Sequence, residues 1–166
     1  MQINIADNTL REAAMEGMDA FIEAIANAIR EGAGGDLSAE TMPKLSSSQI
    51  TLLGYMALRD ELMDGGCIQL IHNGWGPFFF RNPFDTAVRQ WGLIDLCRLL
   101  RRIKKMYIRH HENIEKEMTE EEFMALYEQM DVFDDFDDEF VTHEEAWTEM
   151  IAHYVDEHLD DFVTVV

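Results

Sequence analysis

Apolar side chains recur at intervals of three and four residues along most of the chain, which is the spacing of amphipathic helices. The pattern predicts a first helix that Asn8 or Thr9 caps and that ends at the glycines beginning with Gly32. The apolar side of this helix comprises Leu10, Met15, Met18, Phe21, Ile22, Ile25 and Ile29. A second helix is predicted to run from the serines at 46–48 to the glycine pair at 65–66.

The middle of the chain is predicted to contain two segments without regular structure. Residues 67–73 are predicted to form a short apolar turn. The aromatic loop, which we define as Trp75 to Phe80, follows, and the glycines and prolines in and around it exclude a long regular element. Its rings are expected to fill the core from a loop, and the alternative is an exposed patch that binds a partner.

Helices resume after the aromatic loop. They are predicted over 84–90, from 93 to about 117, over 119–130 and from about 143 to 162. The third of them opens with the capping-box pattern Thr119-x-x-Glu122. No alternating strand pattern of useful length is present. The chain is therefore predicted to form a single, compact, all-α multi-helix domain over residues 1–166.

Length and composition indicate one buried core. The chain has 166 residues, of which 47% are apolar and 28% are charged, so disorder throughout is excluded. Cys67 and Cys97 have no CxxC spacing, which indicates neither a disulfide framework nor a zinc site and favours reduced thiols in the cytoplasm. No apolar run approaches the length of a membrane span, and no basic stretch precedes an apolar run at the N-terminus, so we expect a cytoplasmic protein.

The charge adds a functional expectation. The chain carries 33 acidic and 13 basic residues, a net charge of −20, which repels nucleic acid and anionic membranes and attracts basic surfaces. Residues 1–110 contain 13 acidic and 12 basic residues, whereas residues 111–166 contain 20 acidic residues and one basic residue, Lys116. We therefore expect a basic protein partner, with neither nucleic acid nor membrane as a direct partner.

The helix predicted over 93–117 has an apolar side and a basic side. The basic side comprises Arg98, Arg101, Arg102, Lys105 and Arg109. Because the rest of the chain is so negative that free phosphate would be repelled, we expect this side to serve as an internal counter-charge for the acidic last third. The alternative is a nucleic-acid patch.

The last predicted helix combines an apolar stripe with an acidic face. The stripe comprises Trp147, Met150, Ile151, Tyr154 and Phe162. The acidic face comprises Glu145, Glu149, Asp156 and Asp160. Its two like-charge pairs at i,i+4 each cost a helix about 0.2 to 0.5 kcal/mol. Carboxylates four residues apart rise about 6 Å along the axis, against about 3.4 Å per phosphate of a DNA strand. The face could stand in for part of a DNA backbone, and the alternative is a merely solvated acidic surface.

A second acidic group lies between 131 and 139. It comprises Asp134, Asp135, Asp137 and Asp138. We expect it to form a helix-capping turn whose neighbouring phenylalanines, at 133, 136 and 140, point inward. Its carboxylates could also hold a hard cation. The EF-hand pattern fails, however, because Phe140 would occupy the glycine position and Ala146 the bidentate glutamate position.

The sequence contains no motif for catalysis, a metal or a cofactor. HExxH, GxSxG, a phosphate-binding loop and a dinucleotide fingerprint are all absent. His153 and His158 are too far apart around a helix to share a face, and we expect His143 and His158 in the core or at its boundary. The sequence therefore predicts no enzyme, no cofactor and no metal site.

Two segments resemble a bacterial family of acidic DNA-mimic proteins and relatives of unknown function. Residues 61–74 are similar to the family signature at Glu61, the pair Gly65-Gly66, Gln69 and Asn73. Residues 137–140 and 151–162 resemble the acidic helix that closes the family's domain. With the helix around 92–102, the resemblance covers about residues 48–162.

The resemblance implies an all-helical, often dimeric fold whose surface carboxylates imitate DNA phosphates and engage DNA-binding proteins, including a transcriptional regulator, without catalysis. The signature is expected to fix the fold, because its glycines permit a sharp turn between helices and Gln69 and Asn73 can satisfy backbone groups there.

The leading hypothesis is a non-enzymatic acidic protein that binds the basic surface of a DNA-binding protein through both acidic groups. The alternative is a general interaction or regulatory module that contacts its partners through the aromatic loop, in which case the acidity serves only solubility.

Overall fold

The structure is a computed structural model that describes every residue from Met1 to Val166. Helices hold 77% of the residues, which confirms the predicted all-α class. The α-helices are α1 (Asp7–Glu16), α2 (Met18–Ala33), α3 (Ser47–Asp64), α4 (Gly66–His72), α5 (Gly76–Phe80), α6 (Phe84–Gln90), α7 (Ile94–Glu115), α8 (Glu120–Gln129) and α9 (Asp134–Glu157). Three short 3-10 turns cover 42–44, 131–133 and 159–161, and a parallel pair of two-residue strands joins β1 (Asn4–Ile5) to β2 (Thr164–Val165).

The chain forms two compact units. The first comprises residues 1–56 and 145–166, and the second comprises residues 57–144. In the first unit the two terminal strands pair, and the Gln49 side-chain amide donates a hydrogen bond of 2.8 Å to the Phe162 carbonyl, so both chain ends are held in place. In the second unit α7 supplies the centre of the core with its buried apolar side. The boundary of one domain over 1–166 stays a prediction.

The first predicted helix is in fact two helices. Gly17 separates α1 from α2 with a φ of +132°, in the region that favours glycine. Because of this break, Met15 and Met18 do not join the buried side and are 87% and 43% exposed. The remainder of the predicted apolar side is buried, with the run from Phe21 to Ile29 facing the core of the first unit.

The predictions of a turn over 67–73 and a loop over 75–80 are wrong, because this stretch forms two short helices, while the expected absence of a long regular element agrees with their lengths. α4 begins directly at Gly66, whose φ of +75° turns the chain sharply after α3. α5 begins at Gly76 with Pro77 in its first turn, where the missing amide hydrogen sacrifices no helical hydrogen bond. Glycine and proline therefore begin these helices instead of preventing them.

The predictions for α3, α6, α7 and α8 are confirmed to within two residues at each end. The N-cap hydrogen bond of the predicted capping box is also present, whereas the Glu122 carboxylate accepts from the Thr119 hydroxyl and not from the Thr119 amide. The Thr119 hydroxyl oxygen accepts a hydrogen bond of 3.2 Å from the Glu122 amide and donates one of 3.2 Å to the Glu122 carboxylate. This cap fixes the point at which α8 begins.

α9 begins at Asp134, nine residues before its predicted start, and ends at Glu157, five residues before its predicted end. The acidic run is therefore a 3-10 turn followed by the first turn of α9, and the separate capping turn that we expected does not exist. Carboxylates in a first turn interact favourably with the helix dipole. The phenylalanines at 133 and 140 are fully buried, and the one at 136 is half-buried, so the inward anchoring is confirmed for two of three.

The apolar stripe of the last predicted helix is confirmed with one exception. Trp147 and Ile151 are buried, Tyr154 is half-buried, and Phe162 is buried beyond the end of α9. Met150 is 40% exposed and does not belong to the buried stripe.

Candidate functional site

The C-terminal acidic set, which we define as Glu145, Glu149, Asp156 and Asp160, lies exposed on the first unit. The first three residues share one side of α9, where their rises along the axis are about 6 Å and then about 10 Å. Asp160 lies in the 3-10 turn at 159–161, so the predicted helical face holds three of its four members. The Glu149 carboxylate is 3.8 Å from His153 Nε2, and both side chains are more than half exposed.

The basic residues of the first unit do not pair with this set. The unit contains 14 acidic and 3 basic residues, a net charge of −11. Arg11 pairs with Asp7, Arg30 pairs with Glu23 and Asp36, and the Lys44 ammonium donates to the Ala33 carbonyl. The C-terminal acidic set is therefore a solvated group of carboxylates without a lysine or arginine counter-ion from its own unit.

The N-terminal acidic set, named for its place at the N-terminus of α9, comprises Asp134, Asp135, Asp137 and Asp138. It lies in the second unit. Three of its carboxylates are exposed, but Asp137 is half-buried. The Asp137 Oδ1 accepts a hydrogen bond of 2.8 Å from the Cys67 amide at the start of α4. Burial raises the pKa of the Asp137 carboxyl, because it disfavours the charged form.

The second unit packs Asp137 directly against Gly66. A side chain in place of the Gly66 hydrogen would overlap the Asp137 carboxylate, so the glycine provides both the left-handed turn and the space. The same burial raises the pKa of the Cys67 thiol, with the neighbouring Asp137 charge as a further cause. Asp137 is thus part of the α3–α4 corner, whereas its neighbours face solvent.

The signature residues complete this corner. The Gln69 side-chain amide donates to the carboxylates of Glu61 and Asp64 at 2.9 and 3.0 Å, and the Asn73 amide donates to Glu61 at 3.1 Å. The prediction that Gln69 and Asn73 satisfy backbone groups is wrong, since both bind carboxylates. These hydrogen bonds hold α3, α4 and the residue after α4 together, which gives the signature a structural role.

The basic side of α7 contacts the acidic last third of the chain at one residue. Arg102 pairs with Glu139, and its guanidinium lies 5.8 Å from the centre of the Phe136 ring. Arg101 pairs instead with Asp85 at 3.0 Å, and Arg98 lies 3.6 Å from Asp95. The expected counter-charge therefore operates at Arg102, whereas Arg98 and Arg101 pair with carboxylates that precede the acidic third.

The aromatic loop is mostly core. Phe79 and Phe80 are buried to 1% and 2% exposure, while Trp75 and Phe78 are half-buried. Phe79 packs edge-on against Phe84 at a centroid distance of 4.9 Å, and Phe80 lies 5.0 Å from the Tyr107 ring. The rings fill the second unit from α5, which leaves parts of Trp75 and Phe78 accessible.

The histidines at 143 and 158 are held by local contacts. His143 and His158 are exposed, so the prediction that they lie in or beside the core is wrong. His158 stacks on Tyr154 at a centroid distance of 4.0 Å, and the Nδ1 of each histidine lies within 2.9 Å of the carbonyl four residues earlier. No group of three or more histidine, cysteine, aspartate or glutamate residues is arranged to hold a metal ion. No helix has both the length and the apolar character that crossing a membrane requires.

A cleft of about 260 Å³, which the sequence did not predict, lies next to the C-terminal acidic set. Its buried members are Phe21 and Ala152. Its exposed members include Ala14, Met18, His153 and Asp156. The signal in the sequence was Gly17, which also lines the cleft: the helix break at this glycine is what leaves Met18 at the surface.

Comparison with known proteins finds a matching family and a similar protein. The sequence model of the family described as "DMP19-like protein" matches residues 43–158. The chain is 26% identical over 127 residues to the DNA mimic protein DMP19 of Neisseria meningitidis serogroup B. The aligned residues cover 76% of this chain and 77% of the relative. The matched region contains the signature corner, the N-terminal acidic set and most of the C-terminal acidic set.

Proposed function

The chain belongs to the DMP19-like protein family, and from this membership we propose that it is a DNA mimic that occupies the DNA-binding surface of a basic protein. The observation that carries the proposal is the C-terminal acidic set. Its carboxylates are exposed, and no lysine or arginine of their unit neutralises them. The protein acts by binding and not by catalysis, on a DNA-binding protein such as a transcriptional regulator.

The energetics of α9 support this role for the set. Glu145 and Glu149 repel each other at i,i+4, which costs the helix about 0.2 to 0.5 kcal/mol, and no ion pair with a lysine or arginine offsets the cost. A surface that serves solubility alone would gain from mixed charges on the same helix. A surface that replaces a phosphate backbone needs carboxylates of one sign that remain free for the partner's lysines and arginines.

The N-terminal acidic set provides a second binding surface in this proposal. Asp134, Asp135 and Asp138 are exposed and can meet a basic partner. Asp137 contributes to the fold through Cys67 rather than to binding, because its carboxylate is half-buried and hydrogen-bonded.

The test is competition between DNA and the protein for a captured partner. The full chain is immobilised, proteins from a lysate of the source cells are bound at low salt, and bound proteins are released with either a short DNA duplex or polyglutamate. We expect a DNA-binding protein to leave with the duplex at a lower charge concentration than with polyglutamate, because the duplex fits the same surface. Release by both polymers at equal charge concentration would show a general acidic attraction and contradict mimicry.

Two variants with equal charge locate the surface. The first replaces the C-terminal acidic set (Glu145→Gln, Glu149→Gln, Asp156→Asn and Asp160→Asn). The control replaces four other exposed carboxylates (Glu112→Gln, Glu117→Gln, Glu121→Gln and Glu128→Gln), so that both chains have the same net charge. We expect only the first to lose affinity and to show a shallower salt dependence between about 50 and 200 mM salt.

The aromatic alternative predicts a different result. Trp75 directly precedes α5, and its ring is half-buried. Trp75→Ala removes this ring from the aromatic loop without changing the net charge. Under DNA mimicry this variant keeps the salt slope of the unmodified chain. Loss of binding in Trp75→Ala, together with full binding by the C-terminal variant, would favour the general interaction module.

A further inference from the structure

The cleft beside the C-terminal acidic set has the size of a single side chain. Its volume is about 260 Å³, which is below the roughly 300 to 1,000 Å³ of pockets that enclose small-molecule ligands. It opens on the surface of the first unit, and its exposed member Met18 has a flexible thioether that can adjust to an inserted group. The geometry favours a protruding side chain of a binding partner over a cofactor.

The lining of the cleft selects the kind of side chain. Phe21 and Ala152 form buried apolar surface at which a hydrocarbon stem gains contacts. Asp156 lies at the same cleft, is exposed, and pairs with no lysine or arginine of its unit. His153 also lines the cleft, and its Nε2 lies 3.8 Å from the Glu149 carboxylate, so a second carboxylate is next to a lining residue.

We propose that the cleft binds an arginine side chain of the basic partner, with the stem on the apolar surface and the guanidinium on Asp156. The identity of the partner as a basic protein rests on the proposed function. Arginine fits better than lysine, because its guanidinium is planar, more weakly hydrated, and able to bind one carboxylate through two parallel hydrogen bonds.

This contact would add selectivity that a phosphate backbone does not have. A row of carboxylates attracts any basic surface, and screening by salt weakens that attraction. An arginine held partly by apolar contacts is less sensitive to salt and requires a partner that presents the side chain in the right place. The cleft therefore distinguishes among basic proteins that the acidic set alone would bind alike.

The direct test uses a peptide and needs no partner protein. The full chain carries ¹³C-methyl methionine, and acetyl-Gly-Arg-Gly-amide is titrated while the methyl signals are followed by NMR. We expect a saturable shift at Met18 and none at Met124, which is 58% exposed but belongs to the second unit. The same peptide with lysine in place of arginine should bind more weakly. The peptide with norleucine at this position should not shift the Met18 methyl signal.

Two variants separate the charge of the cleft from its volume. Asp156→Asn should weaken binding of the arginine peptide about fivefold, which is the upper range for an exposed ion pair. Asp160→Asn changes a residue outside the cleft and should leave the affinity for the peptide unchanged. Ala14→Leu places a larger side chain at an exposed helical position that lines the cleft, and should abolish the Met18 shift without loss of helical circular dichroism. If Ala14→Leu fails to fold, Asp156→Asn and the norleucine peptide still decide the question.

Several outcomes would overturn the proposal. The absence of a saturable Met18 shift would do so, as would equal binding of the norleucine peptide or equal effects of Asp156→Asn and Asp160→Asn. A Met18 shift that follows protein concentration without peptide would assign the cleft to a second copy of the chain instead.

The outcomes for the cleft and for DNA mimicry are separable. If mimicry is correct and the cleft proposal is wrong, Ala14→Leu will bind the captured partner as well as the unmodified chain does. If the peptide saturates Met18 but a DNA duplex fails to compete with the captured partner, the cleft is an arginine site on a protein that is not a DNA mimic.

Discussion

Gly66 and Asp137 show how a single position can combine backbone conformation, space and charge. Gly66 has a φ of +75°, and its missing side chain makes room for the carboxylate that binds the Cys67 amide. The sequence identified Gly66 as a turn residue, but it grouped Asp137 with the surface carboxylates because its neighbours are all acidic. Burial of one aspartate in an acidic run depends on packing between segments that are distant in sequence.

Gly66→Ala should destabilise the protein by about 2 to 4 kcal/mol, because backbone strain is joined by overlap with Asp137. Gly74→Ala is the matched control. Its φ of +89° imposes similar strain, but no atom lies within 4 Å of the added carbon, so the cost should be about 1 kcal/mol. Urea unfolding measures both, and equal losses would show that Asp137 can move away at no cost.

The raised pKa of Asp137 predicts how stability depends on pH. A carboxyl whose pKa is higher in the folded state adds most stability below its unfolded pKa of about 3.9 and loses that contribution as the pH rises through the folded pKa. Asp137→Asn keeps an oxygen that accepts from the Cys67 amide but does not ionise. Between pH 3.5 and 7, the variant should therefore gain stability relative to the unmodified chain. Urea unfolding measures the difference in unfolding free energy between the two chains. If this difference stays constant from pH 3.5 to 7, the pKa of the Asp137 carboxyl is not raised by folding.

At the level of elements, the ends of helices decide how well the sequence could be interpreted. α8 was predictable because Thr119 and Glu122 interact within one turn, so the signal is local. Removing the hydroxyl in Thr119→Ala should cost about 1 kcal/mol. Thr142→Ala provides a control in an exposed helical interior, where the hydroxyl donates to the Asp138 carbonyl and alanine has the better helix propensity. If both variants lose the same stability in urea unfolding, the cap does not have its assigned role.

The elements that were mispredicted lack such local signals. Glycine and proline occur both at the ends of helices and at their starts, so their presence does not distinguish the two, and here Gly66, Gly76 and Pro77 begin α4 and α5. The start of α9 was missed for a related reason. Like charges oppose one another in an isolated peptide, whereas burial of Phe133 and Phe140 in the second unit offsets that repulsion.

The candidate site was partly predictable by the same logic. Exposure of Glu145, Glu149 and Asp156 follows from helical periodicity, since the opposite side of α9 is apolar. The cleft was not predictable, because Ala14 and Asp156 are distant in the sequence and meet only when α1, α2 and α9 are in place. Periodicity identifies the face of one helix, but it contains no information about the space between helices.

At the level of the whole molecule, folding redistributes the charge that the sequence concentrates in its last third. The first 110 residues are nearly neutral as a linear segment, yet the first unit has a net charge of −11 and the second has −9. This follows because residues 111–144 belong to the second unit and residues 145–166 to the first. Each unit is therefore negative enough to attract a basic surface by itself. The carboxylates within each unit also repel one another.

This self-repulsion predicts that salt affects stability and binding in opposite directions. Raising NaCl from 0.1 to 1 M shortens the Debye length from about 10 to about 3 Å, which should raise the melting temperature while it weakens capture of a basic partner. The variant that neutralises the C-terminal acidic set removes four charges, three of them in α9, and one like-charge i,i+4 pair of that helix. At 0.1 M it should be more stable than the unmodified chain by a few tenths of a kcal/mol, or about 1 °C, and this advantage should shrink at 1 M. General effects of NaCl on apolar burial apply to both chains, so the difference between their melting curves isolates the charge. A variant that melts lower at both salt concentrations would mean that these carboxylates stabilise the fold, and their exposure would then not be the mark of a binding surface.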